Sequence, residues 1–271
     1  MKKVKSDWIK REKCRTNNIE KFIKLITKLA PKKKLNIIKL SSIKNYPLIL
    51  LKPKKISKGP KILIAAGFHG EEQAGPWGII EFLRTPSNKL MKKANVSFLP
   101  LINPTGFSKG RRENDWMEIP NTGYLHKKDF PGEKLSKEDK ILMKNINLLV
   151  KIAKDGFVSL HEDSAMKKCY IYTFEKSEKP EKFSSILIKT NNKFFKICPN
   201  TIISEGGMKQ KVTEGIIFNC HDGSFEDKLF HKGVPRTACT ETPGLANINK
   251  RIQANAAIIK SFIKFSISNT K

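Results

Sequence analysis

The chain has 271 residues, 39% of them hydrophobic, and a formal net charge of +28 at pH 7. This length and hydrophobic fraction suffice for one sizeable core, and no repeat, Gly/Ser linker or Pro-rich tract divides the sequence. No apolar run approaches the roughly 20 residues of a membrane-spanning helix, which argues against an integral membrane protein. We therefore expect a single domain over residues 1–271.

The basic excess consists of 53 basic residues against 25 acidic ones, and arginine accounts for only seven positions. The lysines are spread along the whole chain, whereas a nucleic-acid reader usually groups arginines with aromatic residues on one face. The pattern favours a solvated, lysine-rich surface, with no specific nucleic-acid partner expected.

The first residues, MKKVKSDWIKREKC, lack the apolar segment of a signal peptide. The cysteines are scattered, and none forms a C-x-x-C pair: Cys14, Cys169, Cys198, Cys220 and Cys239. Such a distribution predicts reduced thiols rather than a disulfide framework or a structural zinc site. We expect a cytoplasmic protein that does not associate with membranes.

The first elements alternate between helix and strand. Apolar residues at helical spacing predict an amphipathic helix over residues 17–30, ending before Pro31. The stretches KLNIIKLSS and YPLILLKP predict two strands that can pair as a hairpin. The apolar run KILIAAG (61–67) is typical of a buried strand, and a helix is expected over 72–84.

The alternation continues to the end of the chain. NVSFLPLINP predicts another buried strand, and residues 111–134, which lack periodicity, predict a long loop of the kind that is often functional. Ser136 and the acidic residues after it predict the start of a helix over 136–154. The remaining predicted elements are strands at 156–163 and 169–174, a helix at 179–195, a strand at 237–244 and a terminal helix. Together these elements predict an α/β fold with a mostly parallel or mixed central sheet.

Three predicted strands end near residues of the types that commonly bind metals in proteins. His69 and Glu72 follow the first, His161 ends GFVSLHED, and Glu241 ends TACTE. Ligands of open α/β sheets bind beyond the carboxyl ends of the strands. The three-residue spacing of His69 and Glu72 can turn both side chains to one side of a helix start, and His161 would complete the ligand set of a catalytic zinc. Each piece alone is a weak signal, but their combination at matching strand ends is not.

Four pieces of the sequence stand in the order found in a known family: FHGEEQAGP, NPTGFSKGRREN, SLHED and CTETPG. They resemble peptidase family M14, the zinc carboxypeptidases, within the superfamily that also holds the succinylglutamate desuccinylases and aspartoacylases. The resemblance covers roughly residues 60–262. It implies a three-layer α/β/α sandwich around a mixed, largely parallel sheet, one zinc ion per chain and hydrolysis of an amide bond.

Specific roles follow from the resemblance. It implies that His69, Glu72 and His161 bind zinc and that Glu241 is the general base that takes a proton from the attacking water. Arg112 would stabilise the oxyanion that develops in the transition state. Asn114, in the same R-x-N element, would contact the substrate. Acidic neighbours of the ligands, such as Glu71, Glu162 and Asp163, would orient them.

The sequence departs from the family where carboxypeptidases grip the substrate's terminal carboxylate with an Asn-Arg pair. The matching stretch GYLHKKDF places Lys127 and Lys128 at those positions. Lysine keeps the charge but lacks the planar fork of arginine. An alternative alignment, to Asn121 and Thr122, would lose the charge altogether. Asp222, which could meet a basic substrate side chain, is better explained as a turn residue before Gly223.

Three functions remain open at this stage. The leading expectation is a zinc metallocarboxypeptidase that acts on peptides or on peptide fragments of the cell wall. The second is an N-acyl amino acid deacylase of the desuccinylase and aspartoacylase type. The third, of another class, is a basic binding protein with a vestigial site, against which the intact set of ligands and base argues.

Overall fold

The structure is a computed structural model that describes residues 15–125, 134–205 and 208–269. Its helices are α1 (Ile19–Lys32), α2 (Ala74–Arg84), α3 (Asn88–Met91), α4 (Pro104–Lys109), α5 (Lys137–Lys144), α6 (Ile146–Ile152), α7 (Lys182–Asn192), α8 (Phe225–His231) and α9 (Ile248–Ser268). Its strands are β1 (Leu35–Ile43), β2 (Tyr46–Pro53), β3 (Lys61–Ala66), β4 (Asn95–Leu99), β5 (Gly156–Asp163), β6 (Tyr170–Glu175), β7 (Thr201–Glu205), β8 (Met208–Val212), β9 (Ile216–Phe218) and β10 (Arg236–Pro243).

Eight of the described strands form one mixed sheet in the order β1-β2-β4-β3-β5-β10-β6-β9. The central strands β4, β3, β5 and β10 run parallel, while β1 and β2 form an antiparallel hairpin at one edge. Strand β6 lies antiparallel to β10. Strands β7 and β8 form a separate two-stranded hairpin. The parallel centre brings the carboxyl ends of β3, β5 and β10 to one edge, as the sequence predicts.

Strand β3 shows why the sheet is covered on both faces. Alternate residues of a strand point to opposite faces. Ile62, Ile64 and Ala66 pack into a core formed with α1, α2, α7 and α9. Leu63 and Ala65 pack into a second core formed with α5, α6 and α8. The helices therefore form a layer on each side of the sheet, and the predicted α/β/α sandwich is confirmed.

Some element boundaries differ from the predictions for local reasons. Helix α1 continues through Pro31, because the Lys33 N–H donates to the carbonyls of Leu29 and Ala30 and closes the last turn. The helix expected over 136–154 begins at the predicted Ser136 capping box but is divided at Asn145, whose side chain donates to the Ile141 carbonyl. The strand predicted over 95–104 ends at Leu99, and helix α4 begins at Pro104.

Six of the described elements were not predicted: helices α3 and α4, strands β7, β8 and β9, and helix α8. The last four lie between residues 200 and 232, where short elements are separated by tight turns. No described helix combines the length and the apolar character that crossing a membrane requires. The four described cysteines are unpaired thiols, in agreement with the predicted absence of a disulfide framework.

Glu175 is a buried acid at the end of β6, where it accepts hydrogen bonds from the Ser184 hydroxyl and, at 3.3 Å, from the Glu181 N–H. Burial raises the pKa of its carboxyl in spite of those donors. The folded chain therefore holds this proton to a higher pH than the unfolded chain, in which the pKa of glutamate is about 4.3.

We expect the difference in stability between the wild type and a Glu175→Gln variant to change with pH. The contribution of Glu175 to the free energy of unfolding falls as the pH rises from about 4 through its raised pKa, because at this group the unfolded state binds fewer protons than the folded state in that window. Glutamine can accept the same hydrogen bonds but does not ionise. Urea denaturation at pH values across the window measures the effect, and parallel stability curves for the two proteins would contradict it.

Candidate metal centre

Three neighbouring strands position the four residues proposed for metal binding and catalysis. The loop after β3 carries His69 and Glu72, β5 carries His161, and β10 carries Glu241. Glu241 lies directly opposite His161 in the parallel register of β5 and β10. The structure therefore brings together the residues that are separated by up to 172 positions in the sequence (241 minus 69).

The Glu72 carboxylate lies between the two imidazole rings. His69 Nδ1 is 2.6 Å from Glu72 Oε1, and His161 Nδ1 is 2.8 Å from Glu72 Oε2. All three side chains are buried, with 2–8% of each exposed. One donor atom from each residue lies within 4.8 Å of the other two. Three convergent nitrogen and oxygen donors are thus held together at the edge of the sheet.

The outer nitrogen of each imidazole faces a fixed acceptor. His69 Nε2 lies 3.2 Å from the Pro120 carbonyl oxygen, and His161 Nε2 lies 3.8 Å from Oε1 of the fully buried Glu226 in α8. Phe68 stacks on the His161 ring at a centroid distance of 5.5 Å. For His69, the acceptor at Nε2 favours the tautomer that leaves the lone pair on Nδ1, which is the arrangement of histidines that bind metals. His161 Nε2 makes no hydrogen bond among the described residues, so Glu226 acts on it through charge alone.

The electrostatics of the site favour a positive charge beside Glu72. Burial alone would raise the pKa of Glu72, but the adjacent His69 and His161 outweigh burial and lower it well below its usual range. Burial alone would lower the pKa of His161, but the Glu72 carboxylate raises it to about 9, with smaller contributions from Glu241 and Glu226. A divalent cation supplies such a charge while both imidazoles stay neutral.

The donor set fits a zinc ion. Two histidine nitrogens and one carboxylate leave a fourth position for water, as in catalytic zinc sites. His161 Nδ1 and Glu72 Oε2 are close, yet among the described residues Glu72 Oε2 has no well-aligned hydrogen-bond partner. A buried oxygen of this kind is expected where a metal completes the site.

The proposed catalytic residues line the same cavity as the ligands. A cavity of about 340 Å³ has His69, Glu72, Arg112 and Glu241 in its wall. Arg112 Nη1 lies 3.3 Å from Glu72 Oε1 and 3.4 Å from Glu71 Oε1. It is therefore held by two carboxylates at the edge of the ligand set, with 38% of its side chain exposed to the cavity mouth and solvent.

Glu241 is held from β10 with its side chain 8% exposed. Its Oε1 lies 3.3 Å from Cys239 Sγ, two residues earlier on the same face of the strand. Burial, followed by the charge of Glu241, raises the pKa of the Cys239 thiol well above its usual range, so the thiol stays protonated and donates to Glu241. Cys239 thereby limits the orientations that are open to the carboxylate.

Comparisons with known proteins agree with this geometry. Residues 58–180 match the family described as the succinylglutamate desuccinylase/aspartoacylase catalytic domain. A proposed metallopeptidase from Shewanella amazonensis is 38% identical, with a TM-score of 0.87, over 93% of this chain and 95% of that chain. Its counterpart from Shewanella denitrificans is 37% identical, with a TM-score of 0.86, over 93% and 92% of the two chains.

The chain belongs to the same metallopeptidase family as these two Shewanella proteins. A metallo-carboxypeptidase from Burkholderia cenocepacia, 14% identical over 92% of this chain and 69% of that chain, shares the fold with a TM-score of 0.64. No curated protein matches the sequence. The predicted family and fold are therefore confirmed, while the roles of the individual residues rest on the geometry described above.

Glu162 and His161 are neighbours in β5, and their side chains point to opposite faces of the sheet. Glu162 is buried on the side of α2 and α9, where it accepts a hydrogen bond of 2.6 Å from the Ala74 N–H and pairs with Arg251. Burial raises the pKa of Glu162 to about 7 against the effect of Arg251. Its contacts hold the first turn of α2, two residues after Glu72, which agrees with the predicted orienting role.

Asn114 differs from its predicted role as a substrate contact. It is fully buried, its amide donates to Glu118 at 2.8 Å and to Glu138 at 2.7 Å, and its Oδ1 accepts the N–H groups of Trp116 and Glu118. These contacts stabilise the loop that carries Arg112. The hydrogen bonds of the Asn114 side chain described above all lie within this buried network. Lys127 and Lys128, the predicted carboxylate grip, lie outside the described residues, and their role stays a prediction.

Glu226 and Pro120 contribute to the site without having been predicted. Glu226 precedes β10 by ten residues and lies on a helix of only seven residues, so neither periodicity nor spacing relates it to His161. Pro120 contributes a backbone carbonyl. Every residue has such a group, so the amino-acid type at position 120 does not indicate this contact. Asp222 accepts a hydrogen bond of 3.0 Å from the Ser224 N–H, in agreement with the predicted turn, and burial raises its pKa to about 7.

Gly70 lies between the two ligands of the H-x-x-E motif, and a side chain has no room there. A Cβ atom would lie 2.0 Å from the carbonyl carbon of Gly106, 2.3 Å from the Phe107 nitrogen and 2.4 Å from the Arg111 oxygen. The Gly70 N–H also faces the Arg112 carbonyl at 3.4 Å. Glycine at this position therefore lets the ligand loop lie directly against the loop that carries Arg112.

A Gly70→Ala variant is expected to lose about 1–3 kcal/mol of stability, because the backbone of one loop must move to admit the methyl group. The displacement separates Arg112 from the ligand loop, so zinc affinity and turnover should fall as well. Thermal unfolding and zinc titration measure the two effects. An unchanged melting temperature and an unchanged zinc affinity would show that the loops do not depend on this contact.

Proposed function

We propose that the protein is a zinc-dependent hydrolase that cleaves an amide bond, and that it is a metallocarboxypeptidase acting on peptides or on peptide fragments of the cell wall. The observation that supports the proposal is the convergence of His69, Glu72 and His161 on one point, with Glu241 in the wall of the same cavity. A binding protein has no need of a buried ligand set together with a base.

The chain's own residues divide the reaction between them. A zinc ion held by His69, Glu72 and His161 would act as a Lewis acid and lower the pKa of a bound water towards about 7. Glu241 accepts the proton of the attacking water and later donates it to the leaving amine. Arg112 lies where negative charge develops on the carbonyl oxygen and stabilises it. The Pro120 carbonyl keeps the His69 imidazole in the required orientation, and the buried Glu226 carboxylate places a negative charge 3.8 Å from His161 Nε2.

The size of the cavity bears on the substrate. A volume of about 340 Å³ suits one amino-acid residue with its neighbouring amide better than a folded protein chain. Ile203 and Ser204 of the β7–β8 hairpin also line the cavity, together with Tyr170, the neighbour of Glu241 across β6 and β10. The hydroxyl of Tyr170 donates to Asp163 at 2.7 Å, which fixes that side of the cavity. The proposed substrate is a short peptide or peptide fragment whose last residue occupies this space.

A second candidate is an N-acyl amino acid deacylase. Two observations favour it: the match of residues 58–180 to the desuccinylase and aspartoacylase catalytic domain, and lysines where carboxypeptidases have an Asn-Arg pair. The two candidates share the zinc, the base and the amide bond. They differ in the group that the enzyme grips: the terminal carboxylate of a peptide in the first, and the acyl group and free carboxylate of a single amino acid in the second.

The discriminating experiment is hydrolysis by the zinc-loaded protein of two substrate panels, peptides with a free carboxyl terminus and N-acyl amino acids. A carboxypeptidase releases single residues from the first panel, and Lys128→Ala raises KM for them because a charge partner of the carboxylate is lost. The same peptides amidated at the carboxyl terminus serve as the control. Turnover of the second panel alone, or peptide turnover that amidation and Lys128→Ala leave unchanged, would overturn the carboxypeptidase assignment. No turnover in either panel, together with binding of nucleic acid that weakens steeply with salt, would favour the basic binding protein.

A further inference from the structure

A second group of metal-binding side chains lies at helix α8, outside the catalytic cavity. His221 Nδ1 is 2.6 Å and His231 Nδ1 is 3.0 Å from the same Oδ1 atom of Asp227. One ligand atom of each residue lies within 4.8 Å of the other two. Asp227 is fully buried, whereas 46% and 48% of the two histidine side chains are exposed. We call these three residues the α8 cluster.

We propose that the α8 cluster is a second zinc site, with His221, Asp227 and His231 as its protein ligands. Two imidazole nitrogens and one carboxylate oxygen are ligands that zinc prefers. The separations between the donors, 2.6 Å and 3.0 Å, resemble the 2.6 Å and 2.8 Å of the catalytic ligand set. The exposed side of the cluster admits a divalent cation from solvent together with its remaining water ligands.

The surroundings hold the donors in place. Asp227 Oδ2 accepts a hydrogen bond of 3.2 Å from the Gly223 N–H, which fixes the plane of the carboxylate. The His221 ring packs at 5.7 Å from Phe174 and 6.2 Å from Phe230. The two exposed histidines converge on one carboxylate oxygen, with ring centroids 4.9 Å apart. The buried carboxylate attracts both imidazoles, and His231 Nδ1 also lies 2.9 Å from the Asp227 carbonyl oxygen. The observation that points to a metal is that donor atoms from three residues lie within 4.8 Å of one another beside solvent.

The cluster joins two separate parts of the chain. His221 lies in the turn after β9, and Asp227 and His231 lie one helical turn apart on α8. Zinc at this site would therefore link the turn to the helix. The zinc-bound protein should have a higher free energy of unfolding than the zinc-free protein. The role proposed is structural, and it does not depend on which substrate the catalytic site takes.

The test isolates the α8 cluster in a protein whose catalytic ligands are disabled by His69→Ala and His161→Ala. We expect this protein to retain about one zinc ion per chain after desalting. After a chelator has removed that zinc, its melting temperature should rise by about 5 °C when zinc is added back in large excess over its Kd. Adding His221→Gln and His231→Asn should abolish both effects. Both changes affect half-exposed side chains and leave polar groups that can still hydrogen-bond to Asp227.

A second measurement avoids the substitutions of the buried residues His69 and His161. Zinc content is compared between the wild type and the His221→Gln/His231→Asn variant, with about one zinc ion fewer per chain expected in the variant. Equal zinc content in these two proteins, or a zinc-dependent rise in melting temperature that survives loss of both histidines, would overturn the second site. Neither readout involves hydrolysis, so failure of the proposed enzymatic function would leave this test intact.

Discussion

Replacing Glu241 with glutamine is expected to lower kcat by about 10²–10⁴-fold, the range that general-base catalysis contributes. Glutamine keeps the shape of the side chain and can still accept a hydrogen bond from the Cys239 thiol, but it cannot take a proton from water. Zinc content should stay at the wild-type level, because Glu241 does not belong to the convergent ligand set. Loss of activity with retained zinc would therefore show that Glu241 acts in catalysis and not in metal binding.

The measurement is steady-state kinetics on the best substrate of the two panels, beside elemental analysis of the same preparations. Glu20→Gln, the same chemical change on the exposed surface of α1, serves as the matched control. A Glu241→Gln enzyme with more than about a tenth of wild-type kcat would remove Glu241 from the base role. In that event the remaining carboxylates of the cavity wall to examine are Asp163 and Glu162.

Substitution of either histidine of the catalytic set, His69→Ala or His161→Ala, is expected to remove about one zinc ion per chain and to abolish hydrolysis. Each change leaves two of the three protein ligands that a catalytic zinc requires. The affinity that remains should not survive desalting, and elemental analysis of purified wild type and variants gives the comparison. Zinc contents that are equal in all three proteins would contradict the assignment of these ligands.

The two substitutions differ in their expected effect on folding. His161 is buried against Phe68, and alanine there leaves a cavity beside the aromatic ring, whereas His69 lies in a loop with its outer nitrogen on the Pro120 carbonyl. We therefore expect His161→Ala to lower the melting temperature more than His69→Ala does. A zinc loss that is the same in both variants, despite different stabilities, would show that it results from the missing ligand rather than from unfolding.

That His69, Glu72, His161 and Glu241 meet at one edge of the sheet could be predicted from the sequence, because they follow one simple rule. Each of these residues lies at or just beyond the carboxyl end of a parallel strand. Each strand can be recognised in the sequence as a short apolar run that is followed by a polar residue. The helix layers were equally predictable, since α2 and α9 carry apolar residues at regular spacing. In these parts of the chain, the spacing of the apolar residues indicates both the type of secondary structure and the face that packs against the sheet.

The supporting residues could not be predicted, because their positions depend on packing between distant segments. Glu226 reaches His161 only because α8 lies under β5, and α8 is too short to produce a periodic pattern. Asn114 matches a motif yet is turned inward by Glu138, a residue 24 positions away. The sequence likewise gives no sign that His221 and His231 meet at Asp227, whose burial beside them is a tertiary property.

The parallel register of β5 and β10 has a consequence for how this site can change during evolution. His161 and Glu241 are direct neighbours across the two strands, so their backbones are separated by the inter-strand spacing of a sheet, about 4.8 Å. Backbone hydrogen bonds set that dimension, and side-chain substitution cannot tune it. New specificities would therefore have to arise in the β7–β8 hairpin and the loop of Arg112, where insertions leave the spacing of the reactive groups untouched.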